Sequence, residues 1–269
     1  MPRPALLLLM LLATGEARGA QPPRRIVSTN LCADQYLLAL ADRRQIAALT
    51  MNARDPSMSA AAGRAAGLPT IRGTAEDVLA LDPDLILTMT DATGAAFSAL
   101  AGRRYRTLAV PPANSIAEIE AQIDAVAAAV GHPDRGKALK GALETTLVSL
   151  PRPGRGRVAA YYQRRGFLTG RGTLVDELMT RLGLVNLATT LGRPALSQLP
   201  LEQIVAARPD VLIVDEETVR ASDQGTEMLG HPALAGIPRL TIPGAWTICG
   251  GPAYARAAES LARQLKALR

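Results

Sequence analysis

The sequence TAEDVLALDPDLILT at residues 74–88 has a counterpart, PLEQIVAARPDVLIV, at residues 200–214. Matching residues lie 126 positions apart, so that Glu76 corresponds to Glu202. Each copy predicts a short helix with a carboxylate in its first turn, then a Pro-Asp break that ends the helix, then an apolar strand. The strands show no polar alternation, which is typical of parallel sheets covered on both faces. The repeat therefore predicts an α/β protein with two similar lobes.

The rest of the chain continues this alternation of helices and strands, which favours parallel sheets with helices on their faces. The ten-residue stretch 163–172, which is rich in Gly and Arg, and the stretch 192–198 are predicted to be loops. Predicted strands cover residues 26–28, 46–50, 70–72, 85–89, 107–110, 158–162, 211–214 and 240–242.

Two successive helices interrupt this pattern at the middle of the chain. Apolar residues recur with a helical period over 115–130, and a second helix is predicted over 134–150. Such a connector is stiffer than a Gly/Ser linker. We therefore predict an N-terminal lobe over 21–132, a linker helix over 133–153 and a C-terminal lobe over 154–269.

The first twenty residues have the features of a secretory signal peptide. Arg3 precedes an apolar run over 5–13, and small residues follow, with cleavage predicted after Gly19 or Ala20. The run is too short to span a bilayer, and no cysteine stands at the cleavage point to carry a lipid. We expect an exported mature protein.

The composition limits the classes of function. Hydrophobic residues make up 48% of the chain but aromatic residues only 3%, so the core is built from Ala, Leu, Val and Ile. Most of the basic residues behind the formal charge of +6 are arginines. This richness in arginine reflects the codon composition of the gene, or it forms a positive cleft for an anionic ligand. Basic runs interleaved with aromatics are absent, which argues against nucleic-acid binding.

Enzyme signatures are scarce. The sequence has no phosphate-binding Gly-rich loop and no nucleophile elbow. The two histidines, His132 and His231, each precede a proline at a predicted helix start, where a capping role is expected. An exported hydrolytic or redox enzyme would have to use Asp91, Asp215 or Cys32, and no histidine is well placed as the partner base.

Cys32 and Cys249 are the only cysteines of the chain. A disulfide is the default for an even pair in an exported protein. The two residues fall in opposite lobes, each in a loop after a strand, where a cleft would lie. Free thiols or contact with a soft metal are the alternative.

Three stretches carry a resemblance to a known family: RIVS at 25–28, AEDVLALDPDLI at 75–86 and LEQIVAARPDVLI at 201–213. They resemble periplasmic substrate-binding proteins of ABC importers, in the class III branch for iron–siderophore, haem and cobalamin. The resemblance implies two Rossmann-like lobes joined by one long helix, with a metal chelate held in the cleft between them. It also implies a monomer without a cofactor of its own or catalytic residues, which delivers its ligand to a permease dimer in the inner membrane.

The resemblance also assigns roles to individual residues. Glu76 and Glu202 occupy the positions at which the family places a glutamate on each lobe, facing arginines of the permease. A favourable interaction with the helix macrodipole is the alternative role of these two carboxylates. Trp246 falls where cobalamin-binding members place an aromatic residue. The metal-binding relatives of the fold use several cleft histidines, which this chain lacks, so a free zinc or manganese ligand is not expected.

Ligands of open α/β sheets bind beyond the carboxyl ends of the strands, so the predicted site consists of residues that follow the strands. A chelate or macrocycle needs aromatic faces, and arginines for its carboxylates or phosphate. Each arginine alone is also compatible with a solvated surface charge, and one of Tyr161 and Tyr162 must face the core. The predicted ligand-binding residues are Asn30, Cys32, Arg54, Arg72, Thr90, Tyr162, Arg164, Arg165 and Trp246.

Overall fold

The computed structural model describes residues 21–90, 105–220 and 223–268. The predicted signal peptide, the predicted helix that ends near Ala101, and Asp91 lie outside the described residues. The strands of the N-terminal lobe are β1 Ile26–Ser28, β2 Ile46–Thr50, β3 Thr70–Ile71, β4 Leu85–Thr88 and β5 Arg106–Ala109. They form one parallel sheet in the order β3-β2-β1-β4-β5.

The C-terminal lobe has a second parallel sheet and a small antiparallel pair. Its strands are β6 Val158–Tyr161, β7 Phe167–Thr169, β8 Val185–Asn186, β9 Leu196–Gln198, β10 Val211–Asp215 and β11 Arg239–Ile242. The parallel sheet has the order β11-β10-β6-β8, and β7 pairs with β9. The prediction of loops over 163–172 and 192–198 is therefore wrong, because each contains a strand that is too short to show a period of two.

Helices cover the faces of both sheets. A helix at 133–149 lies in the predicted linker, so the prediction of two α/β lobes joined by one long helix is confirmed. The described helices are α1 Leu31–Leu40, α2 Ala62–Ala65, α3 Ala75–Leu81, α4 Ile116–Val130, α5 Pro133–Ser149, α6 Leu174–Arg181, α7 Leu187–Thr190, α8 Leu201–Ala207, α9 Glu216–Arg220, α10 Glu227–Gly230 and α11 Tyr254–Ala267.

The repeated sequence forms the same local structure in both lobes. Helices α3 and α8 each end at a left-handed residue that directly precedes the proline, Asp82 with φ 42° and Arg208 with φ 47°. A proline disfavours the right-handed helical conformation of the residue before it. The chain therefore leaves each helix abruptly and enters the next strand.

The aspartates of the two Pro-Asp breaks have equivalent partners. The Asp84 carboxylate accepts hydrogen bonds from the backbone N–H groups of Arg24, at 2.6 Å, and Arg25, at 3.0 Å. The Asp210 carboxylate accepts one from the backbone N–H of Val158, at 2.7 Å. In both lobes the aspartate thus ties the start of β4 or β10 to the start of the central strand, β1 or β6.

The two lobes share one apolar core. It runs from the N-terminal sheet, through α1 and α4, to residues of the C-terminal sheet and α11. The linker helix α5 packs on α4 so closely that a methyl group at Gly136 would lie 2.6 Å from the Ala127 Cβ. Leu143 and Leu147 of α5 are buried in the same core. No helix in the described part of the chain is long and apolar enough to cross a membrane.

Candidate functional site

Each parallel sheet has one point at which strand addition changes direction. In the N-terminal sheet this point lies between β1 and β4, and in the C-terminal sheet between β6 and β10. Ligands of open α/β sheets bind at such points, beyond the carboxyl ends of the strands. Asn30 and Thr90 follow β1 and β4, whereas Gln163 and Asp215 stand at the ends of β6 and β10. These four residues mark the candidate site on both lobes.

A disulfide joins the lobes beside these strand ends. Cys32, in the first turn of α1, is bonded to Cys249 in the loop after β11, with the two Cα atoms 5.0 Å apart. The Tyr36 hydroxyl donates to the Gly250 carbonyl oxygen at 3.2 Å, and the backbone N–H of Ala113 donates to the Cys249 carbonyl oxygen at 3.2 Å. Of the two alternatives for the cysteines, the structure contains the disulfide.

Asn30 combines a structural bond with an unused donor. It is only 5% exposed, and its Oδ1 accepts from the backbone N–H of Ala33 at 2.9 Å, which caps α1. Its Nδ2 is buried and has no hydrogen-bond partner in the structure. Buried polar groups are rarely left unpaired, so this amide is a donor available to a ligand atom at the end of β1.

Trp246 lies on the C-terminal side, close to the bridging cysteine. Its ring is half-buried against the shared core. The turn that carries it is fixed by the backbone N–H of Gly244, which donates to Asp215 Oδ1 at 3.3 Å. Tyr161, at the end of β6, has its hydroxyl beside Thr247, and burial raises its pKa, as does the nearby Asp215 carboxylate. The phenol therefore stays protonated and lies next to the tryptophan turn.

The prediction that Tyr162 lines the ligand site is wrong in this structure. Tyr162 is 0% exposed in the apolar cluster of the C-terminal lobe, where its hydroxyl donates to the Leu199 carbonyl oxygen at 2.7 Å. Burial raises its pKa to about 12, with a further contribution from the Glu202 charge. Tyr161 is the tyrosine on the side of Trp246. Because side chains alternate along a strand, the two tyrosines had to face opposite ways. This alternation does not determine which of them faces the site.

Two of the four predicted arginines are engaged in structural bonds. The Arg54 guanidinium donates to the Leu68 carbonyl oxygen and so holds the loop after β2. Arg164 forms an ion pair with Asp223 at 2.9 Å, and this guanidinium holds the pKa of the Asp223 carboxyl below its usual value. These two arginines therefore hold neighbouring loops in position.

The other two arginines are exposed. Arg72 lies in a concavity of about 480 Å³ at the ends of β2 and β3, together with Met51 and Thr70. Arg165 has a left-handed backbone with φ 56°, and its carbonyl oxygen accepts from Gln198. Neither guanidinium has an ion-pair partner in the described part of the chain, so both can contact an anionic group.

Glu76 and Glu202 occupy equivalent places on the two lobes. Each is exposed in the first turn of its helix, α3 or α8. The Glu76 pKa is lowered by hydrogen bonds from its own backbone N–H and from the Thr74 hydroxyl. Thr74 and Asp77 form a capping box at the start of α3, so that Glu76 is not required as the cap.

The two histidines each stand at the start of a helix or helical turn. His132 is the N-cap residue of α5, and its Nε2 lies 3.4 Å from an Asp42 oxygen. His231 precedes a short turn, and its Nδ1 accepts from the backbone N–H of Ala233. Among residues 21–90, 105–220 and 223–268, no group of three or more His, Cys, Asp or Glu side chains is arranged to hold a metal ion.

Comparisons with known proteins agree with this geometry. A family model described as "Periplasmic binding protein" matches residues 26–239. Among solved structures, a periplasmic haem-binding protein, RhuT from Roseiflexus sp. RS-1, is 25% identical and superposes with a TM-score of 0.70, covering 91% of this chain and 98% of that one. No curated protein sequence matches this chain.

Two further structures share the fold at lower identity. The periplasmic haem-binding protein HutB of Vibrio cholerae has a TM-score of 0.74 and 21% identity, covering 90% of this chain and 98% of that one. The periplasmic vitamin B12-binding protein BtuF of Vibrio cholerae has a TM-score of 0.65 and 18% identity, covering 91% and 98%.

Proposed function

This chain belongs to the periplasmic binding protein family, and we propose that it is the solute-binding component of an ABC importer that captures a metal chelate between its lobes. The chain is a binding protein rather than an exported enzyme. The observation that carries the proposal is the position of Trp246, which is half-buried three residues before Cys249, the cysteine whose disulfide with Cys32 ties the two lobes together.

The proposed ligand class is a ferric siderophore, cobalamin or haem. Each is a large chelate, and haem and cobalamin present flat macrocyclic faces that can stack on an aromatic ring. Arg72 and Arg165 supply positive charge for carboxylate or phosphate groups of such ligands. The names of two structural neighbours, haem-binding HutB and vitamin B12-binding BtuF, support this class.

A spectroscopic titration tests the ligand class. Purified protein is titrated separately with haem, cyanocobalamin and a ferric siderophore, all of which absorb visible light, and each binding event is checked by calorimetry. We expect saturable binding of one chelate per chain for one of the three. Absence of saturable binding for all three would contradict a chelate-binding role.

We further propose that Glu76 and Glu202 dock the protein onto a permease dimer, one glutamate per subunit. Exposed charges at equivalent places on two lobes suit a partner with two matching basic sites, and they contribute mainly to orientation and association rate. The Glu76→Arg/Glu202→Arg variant is therefore expected to keep its chelate affinity and melting temperature but to lose transport in vesicles that contain the permease and ATPase.

A matched control changes the same amount of charge elsewhere. Glu144 and Glu227 are exposed glutamates outside the two docking helices, and the Glu144→Arg/Glu227→Arg variant is expected to transport normally. Normal transport by Glu76→Arg/Glu202→Arg, or equal loss in the control, would exclude the docking role.

The family is periplasmic, and we propose that residues 1–20 direct export and are then removed. In the periplasm the protein would act as a monomer, since each chain carries both lobes of the proposed site.

A further inference from the structure

A second concave site lies where the two lobes meet the linker helix. This junction pocket has a volume of about 340 Å³ and is lined by Gln35 and Arg64 of the N-terminal lobe, Leu139 of α5, and Pro252 and Arg256 of the C-terminal lobe. None of the residues predicted to contact the chelate lines it. All three parts of the fold thus contribute to one small pocket that the proposed function does not use.

Gln35 provides an unused donor in this pocket. The residue is only 4% exposed, and its Nε2 is buried without a hydrogen-bond partner. An unpaired buried amide is costly, so its presence in the wall of a cavity indicates an acceptor that binds there.

Two arginines add positive charge. Arg64 Nη1 donates to the Leu38 carbonyl oxygen at 3.4 Å, and Arg256 Nη1 donates to the Ala60 carbonyl oxygen at 3.5 Å. Each is a single long bond, which leaves the other N–H groups of each guanidinium for a ligand. Among the described residues, no Asp or Glu side chain lines the pocket, so the positive charge is not neutralised from within.

The N-terminus of α11 faces the same region. Ala253, its N-cap residue, also lines the pocket and offers no side-chain cap. The backbone N–H groups of Tyr254 and Arg256 in its first turn donate to the Gly251 and Ala253 carbonyl oxygens, so the helix contributes chiefly the positive potential of its macrodipole. The polar side chains that line the pocket are thus Gln35 and the two arginines, and none of them is an anion.

We propose that the junction pocket binds a small oxyanion, a phosphate or carboxylate group, separately from the chelate. The anion accepts from Gln35 on one lobe and from Arg256 on the other, within the positive potential at the start of α11. Such an anion bridges the lobes at the linker helix and stabilises their mutual position.

Thermal unfolding and calorimetry with sodium phosphate, and separately with sodium acetate, test the proposal at constant ionic strength. We expect a saturable rise in melting temperature with at least one anion. The Arg256→Gln variant is expected to bind that anion at least tenfold more weakly, and Gln35→Glu is expected to abolish binding by repulsion. Arg263→Gln removes the same charge from an exposed position farther along α11 and is expected to bind as the wild type does.

Comparing phosphate with acetate shows which group the pocket selects, since tighter binding of one identifies it as a phosphate or a carboxylate site. A rise that is unsaturable, or equal in the wild type and Arg256→Gln, would overturn the site. An equal loss of anion binding in Arg263→Gln would also overturn the site. Chelate titration of Arg256→Gln separates this proposal from the proposed function: affinity is expected to be unchanged, and competition between chelate and anion would overturn separate binding.

Discussion

The repeated aspartates contribute measurable stability at the scale of single residues. Asp84 and Asp210 each accept backbone hydrogen bonds from the segment that begins the central strand of their sheet. A hydrogen bond to a charged group contributes about 1.5–3 kcal/mol, and partial exposure reduces this value. We expect Asp84→Ala and Asp210→Ala each to lower the free energy of unfolding by about 1–2 kcal/mol in urea denaturation.

The exposed Glu144 supplies the control, since Glu144→Ala is expected to change stability by less than about 0.5 kcal/mol. If only one of the two aspartates mattered, the equivalence of the two lobes at this motif would be contradicted.

Asp34 gives a pH dependence at the same scale. It is 0% exposed, and its carboxylate accepts from the Thr50 backbone N–H at 3.2 Å. Burial raises its pKa above the usual 3.8 despite hydrogen bonds from Thr50 and Ser28. The folded chain therefore holds the Asp34 proton more tightly than the unfolded chain does. The stability that this protonation contributes to the fold is full below pH 3.8 and is lost as the pH rises through the raised pKa.

The isosteric Asp34→Asn variant removes this titration. We expect the wild type to lose stability relative to Asp34→Asn as the pH increases from about 3.5 to about 7, measured by urea unfolding at each pH. A difference that stays constant with pH, or moves the opposite way, would show that the carboxylate is not destabilised by its burial.

At the scale of elements, the long helices and apolar strands follow from local sequence. The Pro-Asp break marks where α3 and α8 end, because a proline disfavours the helical conformation of the residue before it. The strands β7 and β9 could not be predicted in this way, since each has three residues and forms through pairing with the other. Their pairing depends on tertiary contacts that no local pattern encodes.

The disulfide is the element-scale feature with the largest expected effect on stability. Its residues are 217 positions apart, so the bond strongly restricts the unfolded chain. We expect Cys32→Ser/Cys249→Ser to lose about 2–5 kcal/mol of unfolding free energy. Thiol counting on unfolded, unreduced wild type is expected to find no reactive thiol, and two reactive thiols would contradict the bond in the exported protein.

For the whole molecule, the two lobes share one apolar core, and the candidate site lies at the strand ends of both. The internal repeat predicted the two sheets, and the rule on strand ends pointed to Asn30, Arg72 and Trp246, whose contact with a ligand stays a prediction. It could not separate Tyr161 from Tyr162, because burial of both depends on which face of β6 meets the shared core. Nor could it predict that Arg54 and Arg164 are engaged by nearby loops, since their partners are set by tertiary structure.

In the proposed function a chelate binds between the lobes against Trp246. Calorimetric titration compares the wild type with Trp246→Leu and Tyr162→Phe, using whichever of haem, cyanocobalamin and ferric siderophore binds the wild type. We expect Trp246→Leu to bind at least about tenfold more weakly, through loss of stacking, and Tyr162→Phe to bind as the wild type does. Unchanged affinity in Trp246→Leu, or an equal loss in Tyr162→Phe, would contradict it.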